Sequence, residues 1–274
     1  MSTPQPLIGR HAVVTGAGGG MGRAHAVRLA RLGADVVVVD RDLESWRRWH
    51  EDVAAGSVVA EIESLGCRSI GVEADLSDPG QADAAIARAV ESFGSIDVLV
   101  NNAGGAITPV GRSQASISSA EDTELLWRAN MLTTVNCCRA AAPHLTRPGA
   151  SVINIATGGV DIDTVSGSNA VYASVKAAVV RYTRAMAVEL GPSGVRANSI
   201  SPGLIETARI KALAAERGLG TPEQVAGVPL RRFGTTDDVA GVVEFLATDL
   251  SGYVTGECIR VTGGTELVMA MGSR

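Results

Sequence analysis

The chain has 274 residues, enough for one large domain or two small ones. Hydrophobic residues at 46% against 19% charged supply ample core, and 3% aromatic content beside 32 glycines makes that core aliphatic and threaded by turns. A net charge of −5 argues against a general nucleic-acid or anionic-membrane partner. Cys67, Cys137, Cys138 and Cys258 show neither metal-ligand nor disulfide-framework spacing, the four histidines are scattered, and no metal site is expected. Residues 1–6 lack the apolar core of a signal peptide and no run is long enough to span a bilayer, so the expectation is a soluble, reduced, cytoplasmic protein.

In chain order, Ala12–Thr15 reads as a short buried strand, then Gly16-Ala17-Gly18-Gly19-Gly20-Met21-Gly22, then a helix through Leu32. Strand, glycine turn and helix are the context that a dinucleotide fingerprint requires. Gly16, Gly20 and Gly22 give G-x-x-x-G-x-G rather than G-x-G-x-x-G, with the same physical uses: a sharp turn, close backbone approach to a pyrophosphate, and helix–strand packing. A purely structural glycine loop is the competing reading. The next strand, Asp35–Val39, ends at Asp40, where a carboxylate accepts from an adenosine ribose and repels a 2′-phosphate. Gly19 leaves no basic side chain beside the loop, while Arg41 could accommodate that phosphate; the balance favours NAD over NADP.

Residues 41–68 are longer than a helical crossover needs, and the cluster Trp46-Arg47-Arg48-Trp49-His50 reads as a solvated helix face. Ser69–Glu73 is the third strand, leading to Asp75. A helix covers Gln81 to Phe93, and Ile96–Val100 is the fourth strand, running into Asn101-Asn102-Ala103-Gly104. Residues 105–123 read as a loop, and Glu124–Leu145 as a helix containing Asn130. Ser151–Ile155 is the fifth strand, followed by Ala156-Thr157-Gly158-Gly159 and a polar loop. A long, nearly uncharged helix then opens on Val171-Tyr172-Ala173-Ser174-Val175-Lys176. Arg196–Ile200 is the sixth strand, stopped by Ser201-Pro202-Gly203. Residues 207–230 read as a helical flap, and a helix (Asp237–Ala247) and strand (Glu257–Thr262) close the chain.

Strands alternating with helices imply an α/β, doubly wound, Rossmann-type fold with a parallel sheet covered on both faces. Ligands in such sheets bind beyond the carboxyl ends of the strands, where Gly16, Asp40, Asp75, Asn101, Thr157 and Pro202 fall. No linker or repeat divides residues 1–274, so one domain is expected. On a helix Tyr172 and Lys176 share a side. An ammonium fixed at about 4 Å in an effective dielectric near 20 would favour phenolate by about 4 kcal/mol, roughly three pKa units, bringing Tyr172 toward neutrality. Tyr-x-x-x-Lys alone is a weak pattern, and an interfacial tyrosine beside a solvated lysine is the alternative.

The ordered set Thr15-Gly16 through Gly22, Asp40, Asp75-Leu76, Asn101-Asn102-Ala103-Gly104, Asn130, Tyr172 with Lys176, Pro202-Gly203 with Thr207, and Thr255-Gly256 resembles the short-chain dehydrogenase/reductase family, from about Arg10 to Glu266. The resemblance implies seven parallel strands and NAD(P)-linked oxidation of alcohols or reduction of ketones, by a homodimer or homotetramer. It implies Tyr172 as proton-transfer group, Lys176 on the nicotinamide ribose hydroxyls and lowering the Tyr172 pKa, and Asn130 holding a relay water. Asp75 and Leu76 would hold the adenine, Asn102 with Ala103 and Gly104 the adjacent ribose region, and Ile205 with Thr207 the carboxamide. Gly16, Gly20, Met21, Gly22, Asp40 and Arg41 would complete the cofactor site.

The family's usual serine after the fifth strand is Thr157 here, which keeps a hydroxyl on a stiffer, β-branched side chain; Ser166 or Ser168 could supply it instead. Asp161, Asp163 and Glu206 argue against a strongly anionic substrate. Rival readings are a turnover-less nucleotide sensor or scaffold, a dehydratase or epimerase, and an NADP-dependent carbonyl reductase.

Overall fold

The protein is described by a computed structural model covering residues 5–160, 164, 166–214 and 218–267. Its strands are β1 (His11–Thr15), β2 (Asp35–Asp40), β3 (Ser69–Glu73), β4 (Val98–Asn101), β5 (Ser151–Ile155), β6 (Arg196–Pro202) and β7 (Cys258–Val261). They form one seven-stranded sheet in the order β3-β2-β1-β4-β5-β6-β7, and every pairing is parallel. The strand order reverses between β1 and β4, the place where this topology opens a ligand crevice.

Successive side chains of a strand point to opposite faces, and the core divides accordingly. Val14, Val36, Val38, Val100 and Ile153 face one helical layer; Val13, Val37, Val39, Leu99 and Val152 face the other. The first layer holds α1 (Gly20–Arg31) and the late helix Thr236–Ala247. The second holds α4 (Pro79–Phe93), α6 (Thr133–Ala141) and α7 (Ala170–Leu190). Between β2 and β3 lie α2 (Ser45–Arg48) and α3 (Val58–Glu63), and α5 (Ala120–Trp127) precedes α6.

Boundaries move where side chains supply caps. The fourth helix starts at Pro79 rather than Gln81 because Asp78 accepts from the Gln81 amide and proline suits the first turn. The stretch expected to be loop as far as residue 123 turns helical at Ala120, where Ser119 accepts from the Asp122 amide and two acidic residues occupy the first turn. The helix expected over Glu124–Leu145 is interrupted by a π-turn at Arg128–Leu132. Arg47 and Arg48 do lie on an exposed face, but Trp46 packs against the core. The flap contributes α8 (Ala208–Ala212) and a second short helix at Pro222–Gly227. Among the described residues no helix is long and apolar enough to cross a membrane.

Candidate active site

The crevice is stitched where the sheet order reverses. Thr15, at the end of β1, accepts through Oγ1 from the Asn102 and Ala103 amides at 3.0 and 3.1 Å. Asn102 Nδ2 returns bonds to the Thr15 and Gly16 carbonyls at 3.1 and 3.0 Å. Helix α1 packs so close that a Cβ on Gly22 would lie 2.0 Å from the Gly16 carbonyl oxygen. On Gly20 the space is open, with the Thr207 methyl at 3.9 Å the one neighbour of a hypothetical Cβ. The remaining Asn102 acceptor, Oδ1, is buried without a hydrogen-bond partner. A buried acceptor awaiting a donor beside an open glycine cradle fits a nucleotide ribose hydroxyl.

Asp40 stands at the tip of β2 with Oδ2 accepting from the Gly18 amide at 2.8 Å and Oδ1 from the Asp42 amide at 3.1 Å. Its orientation is thereby set, and each oxygen retains acceptor capacity. Arg41 is exposed and its field falls on Asp75. The Asp75 carboxyl lies below its ordinary value, chiefly because the Ser77 amide donates to it at 2.9 Å, with Arg41 and Arg128 assisting. Leu76 is buried, its carbonyl held by Asn136 Nδ2 at 3.0 Å. Met21, in the first turn of α1, packs on the core. Across the crevice the Gly203 amide after Pro202 donates to Val261, Ile205 is buried, and Thr207 caps α8 by accepting from the Ile210 amide.

The catalytic candidates gather at the end of β5. Asn154 locks that end, accepting from Asn101 Nδ2 and donating to Thr183 Oγ1 of α7, both at 2.8 Å. Lys176 is 3% exposed and donates from Nζ to the Ile155 carbonyl at 2.7 Å. Burial pulls its pKa down to about 8. Tyr172, one turn earlier, is half-buried, and the Thr157 side chain comes close enough to its hydroxyl to lower the phenol's pKa. Ser166 and Ser168 instead bond each other and Thr164 in an exposed cluster. Asn130 is fully buried in the π-turn. Its Oδ1 accepts from the Gly105 amide at 2.8 Å, and Nδ2 donates to the Leu126 and Gly105 carbonyls at 2.9 and 3.2 Å. It leaves no room beside it: a Cβ on Gly104 (φ +137°) would fall 2.4 Å from Asn130 Oδ1.

One electrostatic expectation is reversed. The Tyr172 phenol titrates above its ordinary value, not near neutrality, because burial outweighs the two influences that lower it. Those are the Thr157 side chain and the field of Arg209. Arg209, on α8, had no signal in the sequence beyond lying two residues after Thr207. In the fold its guanidinium comes within 3.3 Å of where a Gly105 Cβ would stand. Asp161 and Asp163 lie outside the described residues, and Glu206 is exposed and paired with Lys211 at 3.7 Å.

Comparison with known proteins agrees with this fold. Residues 16–266 match the family model described as enoyl-(acyl carrier protein) reductase. A cyclohexanol dehydrogenase from Rhodococcus sp. (strain TK6) is 38% identical over 96% of this chain and 98% of its own length. An L-rhamnose 1-dehydrogenase (NAD(P)(+)) from Sphingomonas sp. (strain SKA58) is 36% identical over 94% and 96%. The crystal structure of a short-chain dehydrogenase from Burkholderia cenocepacia J2315 in complex with NADP superposes with a TM-score of 0.81 at 30% identity, covering 95% of this chain and 99% of that one.

Proposed function

Because the chain belongs to the short-chain dehydrogenase/reductase family, we propose that it is an NAD-dependent oxidoreductase interconverting a secondary alcohol and a ketone, with Tyr172, Thr157, Lys176 and Asn130 as its working set. The observation that carries this reading is the meeting of the Tyr172 and Thr157 hydroxyls at the β5 terminus, where Lys176 also reaches. A bound nicotinamide would supply the hydride acceptor or donor. It would be held by the Gly16–Gly22 turn, Asp40, Asp75 with Leu76, Asn102–Gly104, Lys176, and the Pro202–Thr207 segment.

Within that frame Thr157 orients the substrate oxygen and Tyr172 exchanges the hydroxyl proton with it. A phenol raised by burial keeps its proton at neutral pH, which suits donation to a carbonyl; in the alcohol-oxidising direction the phenol must first give that proton up. Asn130 ties the β4 turn to the helix facing α7, and Lys176 positions the nicotinamide ribose. NAD is favoured over NADP because a carboxylate held at the tip of β2 repels a 2′-phosphate, and Gly18 and Gly19 offer no cation.

The test follows nicotinamide absorbance with cyclohexanol, other secondary alcohols and the matching ketones, using NAD and NADP in parallel. Tyr172→Phe is expected to lower turnover by about 10³-fold, within the range of a lost general acid–base, while NAD still binds. Near wild-type turnover in that variant rejects the role of Tyr172, and equal efficiency with NADP rejects the cofactor reading.

A further inference from the structure

The segment between β2 and α3 lies against the glycine turn itself. A Cβ on Gly18 would meet the Asp42 carbonyl at 2.5 Å and Ser45 Oγ at 2.7 Å, and one on Gly19 would meet Glu51 Oε2 at 3.1 Å and the Trp46 backbone at 3.3 Å. The Trp46 amide donates to the Gly18 carbonyl at 3.2 Å, and the Glu51 amide to the Trp46 carbonyl at 3.1 Å. Residues 42–51 thus form a strap, and Gly18 and Gly19 lack side chains because the strap fills their space. At the end of the strap Glu51 Oε2 accepts from the Gly20 amide, at the start of α1, at 2.7 Å. Its other oxygen accepts from Arg23 Nη1 at 2.9 Å. Arg23 in turn makes a two-pronged pair with Glu61 of α3, at 2.7 and 2.8 Å. Both members of the Arg23–Glu51 pair are mostly shielded from solvent.

We propose that Glu51 is a positioning residue for the dinucleotide, bracing the phosphate-binding turn from outside so that its amides are aligned before the cofactor arrives. Residue 20 carries a left-handed φ of +58° and an open crevice side, so the turn has little of its own to hold it. The Glu51 bond fixes the amide that enters α1, and the Arg23–Glu61 pair fixes Glu51. Preorganised donors bind an anion more tightly because ordering is not deducted at the moment of binding. The inference rests on the dinucleotide-binding reading of this crevice.

The experiment measures binding of NAD, ADP-ribose and adenosine to cofactor-free protein by calorimetry, with intrinsic tryptophan fluorescence as a second readout. E51Q keeps the reach and an acceptor oxygen, E51D keeps the charge but is one methylene short, and E51A removes both. E51A and E51D are expected to weaken NAD and ADP-ribose about 10-fold, the scale of a lost charge-assisted hydrogen bond. E51Q is expected to lose less than E51D, because its single acceptor oxygen can keep the Gly20 bond while the Arg23 pair is given up, and adenosine, which has no phosphate, is expected to be indifferent to all three. E51D carries the comparison if E51A does not fold. Unchanged NAD binding in E51D, or an equal loss for adenosine, overturns the positioning role. Failure of the wild-type chain to bind any dinucleotide would instead overturn the reading of the crevice.

Discussion

Lys176 shows that spacing fixes which helical turn a residue occupies but not how much water surrounds it. Spacing places it one turn from Tyr172, but only the fold shows its ammonium buried and turned to the Ile155 carbonyl. Burial lowers its pKa from 10.5 to about 8. Below about pH 8 the lysine is protonated in both folded and unfolded chains, and the burial penalty is present in full. Between about 8 and 10.5 the folded chain binds fewer protons than the unfolded one, so stability rises with pH by up to about 3 kcal/mol. Urea unfolding at about pH 7.5 and 9.5 should therefore show the wild type gaining about 2 kcal/mol relative to Lys176→Met. A difference between the two proteins that does not move with pH would mean that the ammonium is well solvated.

At the scale of elements, the π-turn at Arg128–Leu132 joins α5 to α6 and aims Asn130 at the turn after β4. π-turns are intrinsically rare and recur at functional sites. This one holds because Asn130 satisfies a buried amide at Gly105 and two backbone carbonyls. Asn130→Ala removes those partners from a fully buried site and should cost about 2–4 kcal/mol. The expected signature is a lower urea midpoint with an unchanged slope; a loss below about 0.5 kcal/mol would show that the turn is held by something else. The strap of residues 42–51 is the other element without a sequence signature. Its short helix and acidic residues look like ordinary surface until Trp46 and Glu51 are seen against the glycines.

For the molecule as a whole, α6 is covered by its own chain, with Cys137, Cys138 and Ala141 fully buried. The outward sides of α5 and α7 are not: Leu125, Trp127 and Val188 are 44%, 43% and 79% exposed. Exposed large apolar residues on neighbouring helices point to an interface. We expect a homodimer or homotetramer built on these helices, and sedimentation at micromolar concentration should find it. A monomer at that concentration contradicts the assembly.

The linear order of residues determined the strand–helix alternation, the all-parallel sheet, and the set of positions at the strand ends. Those features follow from local periodicity, from β-branched runs such as Asp35–Asp40, and from the way glycine and proline stop elements. Element boundaries were less legible because they depend on caps: Asp78 and Ser119 start helices only when the following amides turn toward them. Tertiary structure alone decided that the Thr157 side chain approaches Tyr172 while Ser166 and Ser168 bond each other, that Arg209 adds its field on the phenol, and that Glu51 accepts from the Gly20 amide. Each depends on which atoms meet across long stretches of chain and on how much water is excluded between them, and neither quantity is carried by spacing along the sequence.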